Sequence, residues 1–262
     1  MLLSISNIGW SAKQDAYIYN MMRQYGYSGL EVAPTRIFPE SPYDKKADAR
    51  AWGETLRKDY GFSVPSMQSI WFGRKENIFG TLEEREALMD YTKKAVDFAK
   101  SIKCRNLVLG CPGNRNMPRD ADPEIGVRFF KEIGDYAAEQ GTVIGMEANP
   151  TIYHTNYIND TMSAFELIDK VDSEGFRLNL DIGTMIQNEE RISELAGKID
   201  LISHVHISEP ELRPIKVRKL HIELRTFLEN NGYQGFVSIE MGKVEDIRIL
   251  DEKMQYVRSI FE

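Results

Sequence analysis

The sequence has few of the features that define several common protein classes. Its 262 residues include only two cysteines, Cys104 and Cys111, and no CxxC pair, so we expect neither a disulfide framework nor a thiolate zinc site. No apolar run approaches the roughly 18 residues that a membrane-spanning helix needs. The opening residues, MLLSISNIGW, have no basic flank and no long apolar stretch, which argues against a signal peptide. We therefore expect a cytoplasmic protein with no membrane partner.

The sequence also lacks an excess of positive charge. It has 33 basic and 40 acidic residues, giving a formal net charge of −7. Proteins that bind nucleic acid on their own usually carry net positive charge, because their basic side chains replace the counterions of the phosphates. Neither GxGxxG nor GxxxxGK[ST] follows any β-rich run, so the two common nucleotide-binding loops are absent as well. We expect no nucleic-acid partner.

Short β-rich runs alternate with longer amphipathic stretches from one end of the chain to the other. Eight such units in 262 residues give about 33 residues each, the size of one strand and one helix. Strict alternation implies a parallel sheet, and eight units favour an α/β fold of one kind, a single (β/α)8 TIM barrel. The predicted strands are Leu2–Ser6, Gly29–Val32, Phe62–Met67, Asn106–Leu109, Val143–Glu147, Arg177–Asp181, Ile202–His206 and Phe236–Glu240.

Helix-end signals fall between these strands. Thr81-Leu-Glu-Glu84 reads as a capping box and Asp160 as a helix N-cap. Gly26, Gly61 and Gly141 stand where a left-handed C-terminal cap is expected. No linker or change in composition interrupts the pattern, so we predict one domain over residues 1–262.

The last four predicted strands depart from the continuous apolar pattern that buried parallel strands show. Side chains alternate along a strand, and on each of these strands the face opposite the branched apolar residues is polar. The last residue on that face is Glu147, Asp181, His206 or Glu240. The gaps between them are 34, 25 and 34 residues, so we expect four neighbouring strands to present them at one end of the barrel. His204 lies two residues deeper, and we expect it to support or pack against the site.

Three carboxylates that meet in a barrel mouth repel one another and are costly to desolvate unless a cation holds them. We therefore predict one bound divalent metal ion. A ligand set of one imidazole and three carboxylates, with no thiolate, suits Mn²⁺, Mg²⁺ or Co²⁺ at least as well as Zn²⁺. We take Mn²⁺ as the first choice.

The segments ISNIGW, MEANP, NLDIGT, HVHISEP and SIEM together resemble the xylose isomerase-like TIM barrel superfamily of sugar isomerases and epimerases, including ketose 3-epimerases. The resemblance covers essentially the whole chain. It implies one divalent ion held by Glu147, Asp181, His206 and Glu240, with the two glutamates performing the proton transfers. One position departs from the pattern: Thr184 stands where many relatives carry a histidine that contacts the substrate.

The chemistry that this implies is isomerisation or epimerisation of a sugar, a sugar derivative or a sugar phosphate. A metal ion stabilises the enediolate formed when a carbon beside a carbonyl loses its proton. Two carboxylates can then remove and return protons. A small carbohydrate is the expected partner, a homo-oligomer is an open option, and the predicted role is in carbohydrate metabolism.

Candidate substrate contacts lie in two loops after predicted strands. Arg213 follows the seventh strand, near the place where relatives carry a substrate-binding arginine. Asn149 and His154 belong to the long polar loop ANPTIYHTNY after the fifth strand, and such loops often shape access to barrel sites. The nearby Arg218 is expected to be solvated, and His221 is expected on a helix surface.

Three other functions remain open. A keto-polyol dehydratase could use the same metal and enediolate. An endonuclease IV-like phosphodiesterase shares the barrel, but it needs more than the four histidines of this chain and a basic DNA-facing rim. The third is a barrel that binds a sugar or a partner without turnover. Its ligand set would be vestigial, and the presence of all four ligands argues against this function.

Overall fold

Eight short segments, rich in branched and aromatic residues, form parallel strands in a computed structural model that describes residues 1–262. The predicted strands are all present, and most of their bounds agree to within one residue. The third is the exception, because only two residues of the predicted Phe62–Met67 pair regularly. The strands are β1 (Leu2–Ser6), β2 (Gly29–Glu31), β3 (Ser66–Met67), β4 (Asn106–Leu109), β5 (Val143–Met146), β6 (Phe176–Asp181), β7 (Ile202–Ile207) and β8 (Phe236–Ile239).

The strands pair in the order β2-β1-β8-β7-β6-β5-β4-β3, and every pairing is parallel. The two outer strands also meet through isolated bridges, Gly29 with Ser63 and Val32 with Met67. The sheet therefore returns on itself as a nearly closed (β/α)8 TIM barrel, as predicted. The carboxyl ends of all eight strands share one rim, where the loops that follow them meet.

The predicted helix-end signals are used. Thr81 and Glu84 form a reciprocal capping box, Asp160 caps a helix through the amide of Ser163, and Gly61 ends a helix at φ 77°. None of the helices combines the length and apolar character that a membrane crossing requires. The helices are α1 (Asp15–Gln24), α2 (Pro34–Ile37), α3 (Lys46–Tyr60), α4 (Leu82–Ile102), α5 (Glu124–Glu139), α6 (Thr161–Val171), α7 (Ile182–Gln187), α8 (Lys219–Asn230) and α9 (Ile247–Phe261).

The hydrophobic core lies between the sheet and the surrounding helices. Leu180, Val205 and Ile239 are fully buried in this layer, and they alternate along their strands with polar residues. Those polar residues, including Asn179 and Ser238, are also fully buried, so they face the interior of the barrel. The barrel interior is thus polar, and its polar side chains continue along the strands to the carboxyl-end rim.

His221 on α8 is buried rather than on the helix surface, contrary to expectation. Its side chain is 0% exposed, and His221 Nδ1 shares a 2.9 Å hydrogen bond with the hydroxyl of Tyr256 on α9. The same hydroxyl accepts the amide hydrogen of Arg218. The α8–α9 contact, which helical periodicity does not reveal, covers the imidazole. Burial lowers the pKa of His221 to about 4.

We predict that His221 makes the protein less stable in mild acid. Its pKa in the folded state lies below the value of 6.5 for an unperturbed imidazole, so below about pH 6.5 the unfolded chain binds a proton that the folded chain does not. Between about pH 7 and pH 4.5, His221→Asn should lose less unfolding free energy than the wild type, by about 2 kcal/mol. Urea denaturation at both pH values measures this difference. Parallel pH profiles for the two proteins would contradict it.

Candidate metal centre

The structure brings four side chains together at the carboxyl ends of β5 to β8. Glu147 follows β5, Asp181 ends β6, His206 lies in β7 and Glu240 follows β8. One ligand-type atom from each lies within 4.8 Å of the other three. All four side chains point into the barrel mouth, because each lies on the polar, inward-facing side of its own strand, as the alternation in the sequence predicts.

His206 lies at the centre of this group, which we call the carboxylate cluster: Glu147, Asp181, His206 and Glu240. The Nδ1 atom of its imidazole lies 3.1 Å from Oε2 of Glu240 and 3.2 Å from Oε2 of Glu147. The Nε2 atom, on the other side of the ring, makes a 2.9 Å hydrogen bond to Oε2 of Glu31. Each ring nitrogen therefore faces carboxylate oxygen, and only Nδ1 faces the cluster.

Glu147 is held by side-chain amides. Asn179 donates from Nδ2 to Oε2 at 2.8 Å, and Asn149 donates from Nδ2 to Oε1 at 3.2 Å. The neighbouring strand leaves room for the carboxylate at Gly110, where an added Cβ would lie 2.6 Å from Oε1 of Glu147. A side chain at position 110 would displace that oxygen from its present place.

Asp181 has two roles at the end of β6. Its Oδ1 accepts the amide hydrogen of Thr184 at 2.6 Å and so caps the N-terminus of α7. Its Oδ2 accepts the hydroxyl hydrogen of Ser208 at 2.7 Å. These bonds fix the carboxylate at the edge of the cluster. Thr184, the position that departs from the family pattern, is buried and donates its hydroxyl to the carbonyl of Ala148 at 2.8 Å.

The carboxylates of the cluster oppose one another's ionisation. Burial, together with the charges of Glu147 and Glu240, raises the pKa of Asp181 to about 7. Burial also raises the pKa of Glu240, although His206 opposes that shift. For His206, burial lowers the pKa, but the surrounding carboxylates outweigh it and hold the imidazole's pKa well above its ordinary value. The cluster therefore carries an excess of negative charge that one imidazolium only partly offsets.

The donor atoms of the cluster fit a divalent metal ion. A set of carboxylate oxygens and imidazole nitrogen without sulfur suits Mn²⁺, Mg²⁺, Co²⁺ and Zn²⁺. The raised pKa of Asp181 reflects first its burial and then repulsion by Glu147 and Glu240, and a bound cation would offset both. A second acidic and histidine group, Glu31, His204 and His206, also has its ligand-type atoms close together. Its members are all buried, and it shares His206 with the cluster. Oε2 of Glu31 lies 2.9 Å from Nε2 of each histidine, but only the contact with His206 has hydrogen-bond geometry.

A cavity of about 400 Å³ opens above the cluster. The carboxylates of Glu147, Asp181 and Glu240 form part of its wall, and His206 lies beneath them. Apolar groups form much of the remaining lining, including Phe72, which lines the cavity although it is 68% exposed. Other residues of the lining include Gln68, Trp71, Arg74, Asn149, Tyr153, Thr184, Glu209 and Leu212.

Of the three residues expected to contact substrate, one lines the cavity and two lie outside its lining. Asn149 is buried and lines the cavity. Arg213 is exposed, forms an ion pair with Glu211, and lies outside the cavity lining. His154 is exposed at φ 58°, also lies outside the lining, and accepts a hydrogen bond at its carbonyl from Asn116.

Two arginines near the site have roles that the sequence did not indicate. Arg115 is fully buried behind the cluster and donates to the carbonyl of Glu147 at 2.9 Å and to Oδ1 of Asn149. Arg218, expected to be solvated, forms a two-pronged ion pair with the buried Glu209, with a 2.6 Å bond from Nε. Neither loop carries a periodic pattern, so nothing in the sequence indicates the burial of Arg115 or the pairing of Arg218 with Glu209.

A family model for the xylose isomerase-like TIM barrel matches residues 20–260. The chain belongs to this family. The match supports the resemblance seen in the strand-end motifs and covers all four members of the carboxylate cluster. A search of curated proteins finds no significant sequence match.

Solved structures of similar fold include several epimerases. A 3-keto-D-glucoside 4-epimerase from E. coli is 17% identical, with a TM-score of 0.76 over 99% of both chains. A D-psicose 3-epimerase crystallised in the presence of D-fructose is 19% identical, with a TM-score of 0.78 over 100% of this chain and 99% of the other. An AP endonuclease, family 2, from Brucella melitensis is 19% identical, with a TM-score of 0.73 over 99% and 96%. At these identities the likeness shows the shared fold.

We predict that Asp181→Asn stabilises the metal-free protein at alkaline pH. The pKa of Asp181 is raised from 3.8 to about 7, so between these values the folded state holds a proton that the unfolded chain has released. The resulting loss of stability grows as the pH rises through this range and is complete above about pH 7. With chelator present, the variant should be more stable than the wild type by about 1–2 kcal/mol at about pH 8, and the gain should shrink by about pH 5. Thermal unfolding at both pH values measures it. A variant less stable than the wild type at the higher pH would contradict the repulsion.

Proposed function

We propose that this protein is a metal-dependent sugar isomerase or epimerase. The observation that carries the proposal is the carboxylate cluster: three carboxylates and an imidazole converge beneath a cavity of about 400 Å³. Membership of the xylose isomerase-like family and the similarity to two sugar epimerases support a carbohydrate substrate. The cavity lies at the carboxyl ends of the strands, where TIM-barrel enzymes carry their active sites.

Glu147, Asp181, His206 and Glu240 would hold one divalent ion, with Mn²⁺ as the first candidate. Such an ion supplies Lewis-acid chemistry, stabilising the negative charge that develops when a carbon beside a carbonyl is deprotonated. Asp181 is fixed by Thr184 and Ser208, and this suits it to a holding role. The fold would keep the four ligand side chains close together before the ion binds.

Glu147 and Glu240 are proposed to move the protons. Both carboxylates reach the cavity wall, and they approach it from β5 and β8, two strands separated in the sheet by β6 and β7. A carbohydrate seated between them would present opposite sides to the two oxygen donors. One carboxylate can then remove a proton from carbon while the other returns one. Return to the same carbon gives an epimer, and return to the neighbouring carbon gives the isomer.

The charges around the cavity favour a neutral sugar over a sugar phosphate. Four acidic residues line the cavity, and Arg74 is the one basic residue among the lining groups. Arg74 already forms an ion pair with Glu76 and packs over the ring of Tyr91 at 4.7 Å. A phosphate would need a free cationic partner, and the lining offers none.

The four acidic residues of the cavity lining also weigh against a phosphodiesterase like endonuclease IV, because its substrate is negatively charged. The number of histidines weighs against it too. The carboxylate cluster contains one histidine, His206, and the other strand histidine, His204, lies buried below it. A keto-polyol dehydratase would use the same cluster, and product analysis separates it from an epimerase because dehydration releases water from the sugar.

We predict that Glu147→Gln and Glu240→Gln each reduce turnover by a factor of about 10²–10⁴ because each removes one proton-transfer group. The assay incubates the Mn²⁺-loaded protein with a panel of sugars in deuterated water, and NMR records both product stereochemistry and deuterium at carbon. Glu166→Gln, an exposed glutamate on α6, is the matched control and should retain wild-type turnover.

Near-wild-type turnover in either site variant, on a substrate that the wild type converts, would refute the two-carboxylate mechanism. Conversion without deuterium at carbon would instead indicate a hydride shift. A dehydrated product would assign the cluster to dehydration.

We also predict a preference for uncharged substrates. For the best free sugar and its terminal phosphate ester, kcat/KM should be higher for the free sugar by a factor of about 10 or more, because no unpaired basic side chain lines the cavity to offset the desolvation of phosphate. Arg74→Gln should leave this preference in place, since Arg74 is already paired. A phosphate ester converted more efficiently than its free sugar would contradict the charge argument.

A further inference from the structure

A buried carboxylate lies on the far side of His206 from the cavity. Glu31, the last residue of β2, is 0% exposed and lies outside the cavity lining. Its Oε2 makes a 2.9 Å hydrogen bond with Nε2 of His206 and also lies 2.9 Å from Nε2 of His204. Because it touches neither the cavity nor the three carboxylates, Glu31 has no place in the binding or proton-transfer roles described above.

We propose that Glu31 is a positioning residue that fixes the His206 imidazole with Nδ1 facing the carboxylate cluster. This inference rests on the proposed metal site. The Nε2–H of His206 donates to Glu31, which leaves the Nδ1 lone pair as the donor for a metal ion. A carboxylate that accepts the second N–H of a metal-binding histidine sets its tautomer and ring orientation and strengthens it as a ligand.

Glu31 is itself held by residues of its own half of the barrel, which lies across from the cluster. Gln68, which follows β3, donates from Nε2 to Oε1 of Glu31 at 3.2 Å and also contacts the hydroxyl of Ser6 on β1. Strands β1 to β3 therefore anchor an orienting group for a cluster carried by β5 to β8. This contact joins residues 175 positions apart in the chain, and it gives the first half of the barrel a part in the site.

The geometry separates this role from direct metal binding. Glu31 approaches the Nε2 side of the ring, whereas Glu147 and Glu240 approach the Nδ1 side. One ion cannot be bound through Nδ1 and also reach the Glu31 oxygen that is hydrogen-bonded to Nε2. Glu31 therefore acts on an ion through His206.

The test measures the affinity of the full-length protein for Mn²⁺ alone, by calorimetry after removal of bound metal. Glu31→Gln should weaken Mn²⁺ binding by a factor of about 10–100, the usual cost of losing such a partner. His204→Gln is the matched control: it alters an equally buried neighbour of the same Glu31 oxygen but leaves the Glu31–His206 bond, so affinity should change by less than a factor of about 3.

A double-mutant cycle distinguishes action through His206 from general damage to the barrel interior. In a His206→Asn background, adding Glu31→Gln should produce no further loss of Mn²⁺ affinity, because the imidazole that it orients is gone. Unchanged affinity in Glu31→Gln, equal losses in Glu31→Gln and His204→Gln, or full additivity with His206→Asn would each overturn the proposal.

A measurement on the wild type covers the case in which Glu31→Gln does not fold. Long-range ¹H–¹⁵N NMR of the Zn²⁺-loaded protein should show His206 with its proton on Nε2 and the metal on Nδ1, and the reverse assignment would overturn the proposal. Failure of the proposed function alone has a different outcome: tight Mn²⁺ binding that depends on Glu31, with no turnover of any sugar.

Discussion

The structure depends on one unfavourable interaction, the mutual repulsion of three carboxylates gathered around a single imidazole. Glu147, Asp181 and Glu240 have ligand-type oxygens within 4.8 Å of one another and of His206, in a place where burial already disfavours charge. Burial, followed by repulsion from Glu147 and Glu240, raises the pKa of Asp181, which shows both costs at once. A fold tolerates such a site when a bound cation repays it, and destabilised functional sites of this kind are a common compromise.

The rest of the barrel can be understood as support for this cluster. Glycine at position 110 makes room for one carboxylate, and the amides of Asn149 and Asn179 fix its two oxygens. Behind them Arg115 places a buried positive charge against the peptide of Glu147, which offsets part of the negative excess without entering the cavity. The supporting groups come from several strands and loops, so the site is fixed before any ligand binds.

Sequence patterns predicted those parts of the structure that depend on local periodicity. The alternation of polar and apolar residues on β5 to β8 indicates which side chains face inward, and the roughly equal spacing indicates that they reach the same rim. Both expectations hold for Glu147, Asp181, His206 and Glu240. Periodicity does not determine contacts across the barrel interior, so it could not show that Glu31 meets His206 from β2. It also failed for His221, because the packing of α9 onto α8 decides that burial.

Loop residues were the hardest to place. Arg213 and His154 follow the predicted strands, but both lie outside the cavity lining. Arg213 pairs with Glu211, and both loops contain left-handed residues, Glu211 (φ 61°) and His154 (φ 58°), which the sequence does not indicate. The positions of Phe72 and Arg115 could not be predicted. Both lie in loops, where no periodic pattern indicates that the aromatic side chain is exposed or that the arginine is buried. The first half of the barrel therefore contributed little to the sequence-based prediction, although it lines much of the cavity.

The central claim is that the carboxylate cluster is a metal site, and a crystal grown with Mn²⁺ tests it most directly through anomalous scattering. The account predicts one strong Mn²⁺ peak per chain, bonded to oxygens of Glu147, Asp181 and Glu240 and to Nδ1 of His206. A peak located elsewhere, or no peak and carboxylates turned away from one another toward solvent, would contradict it.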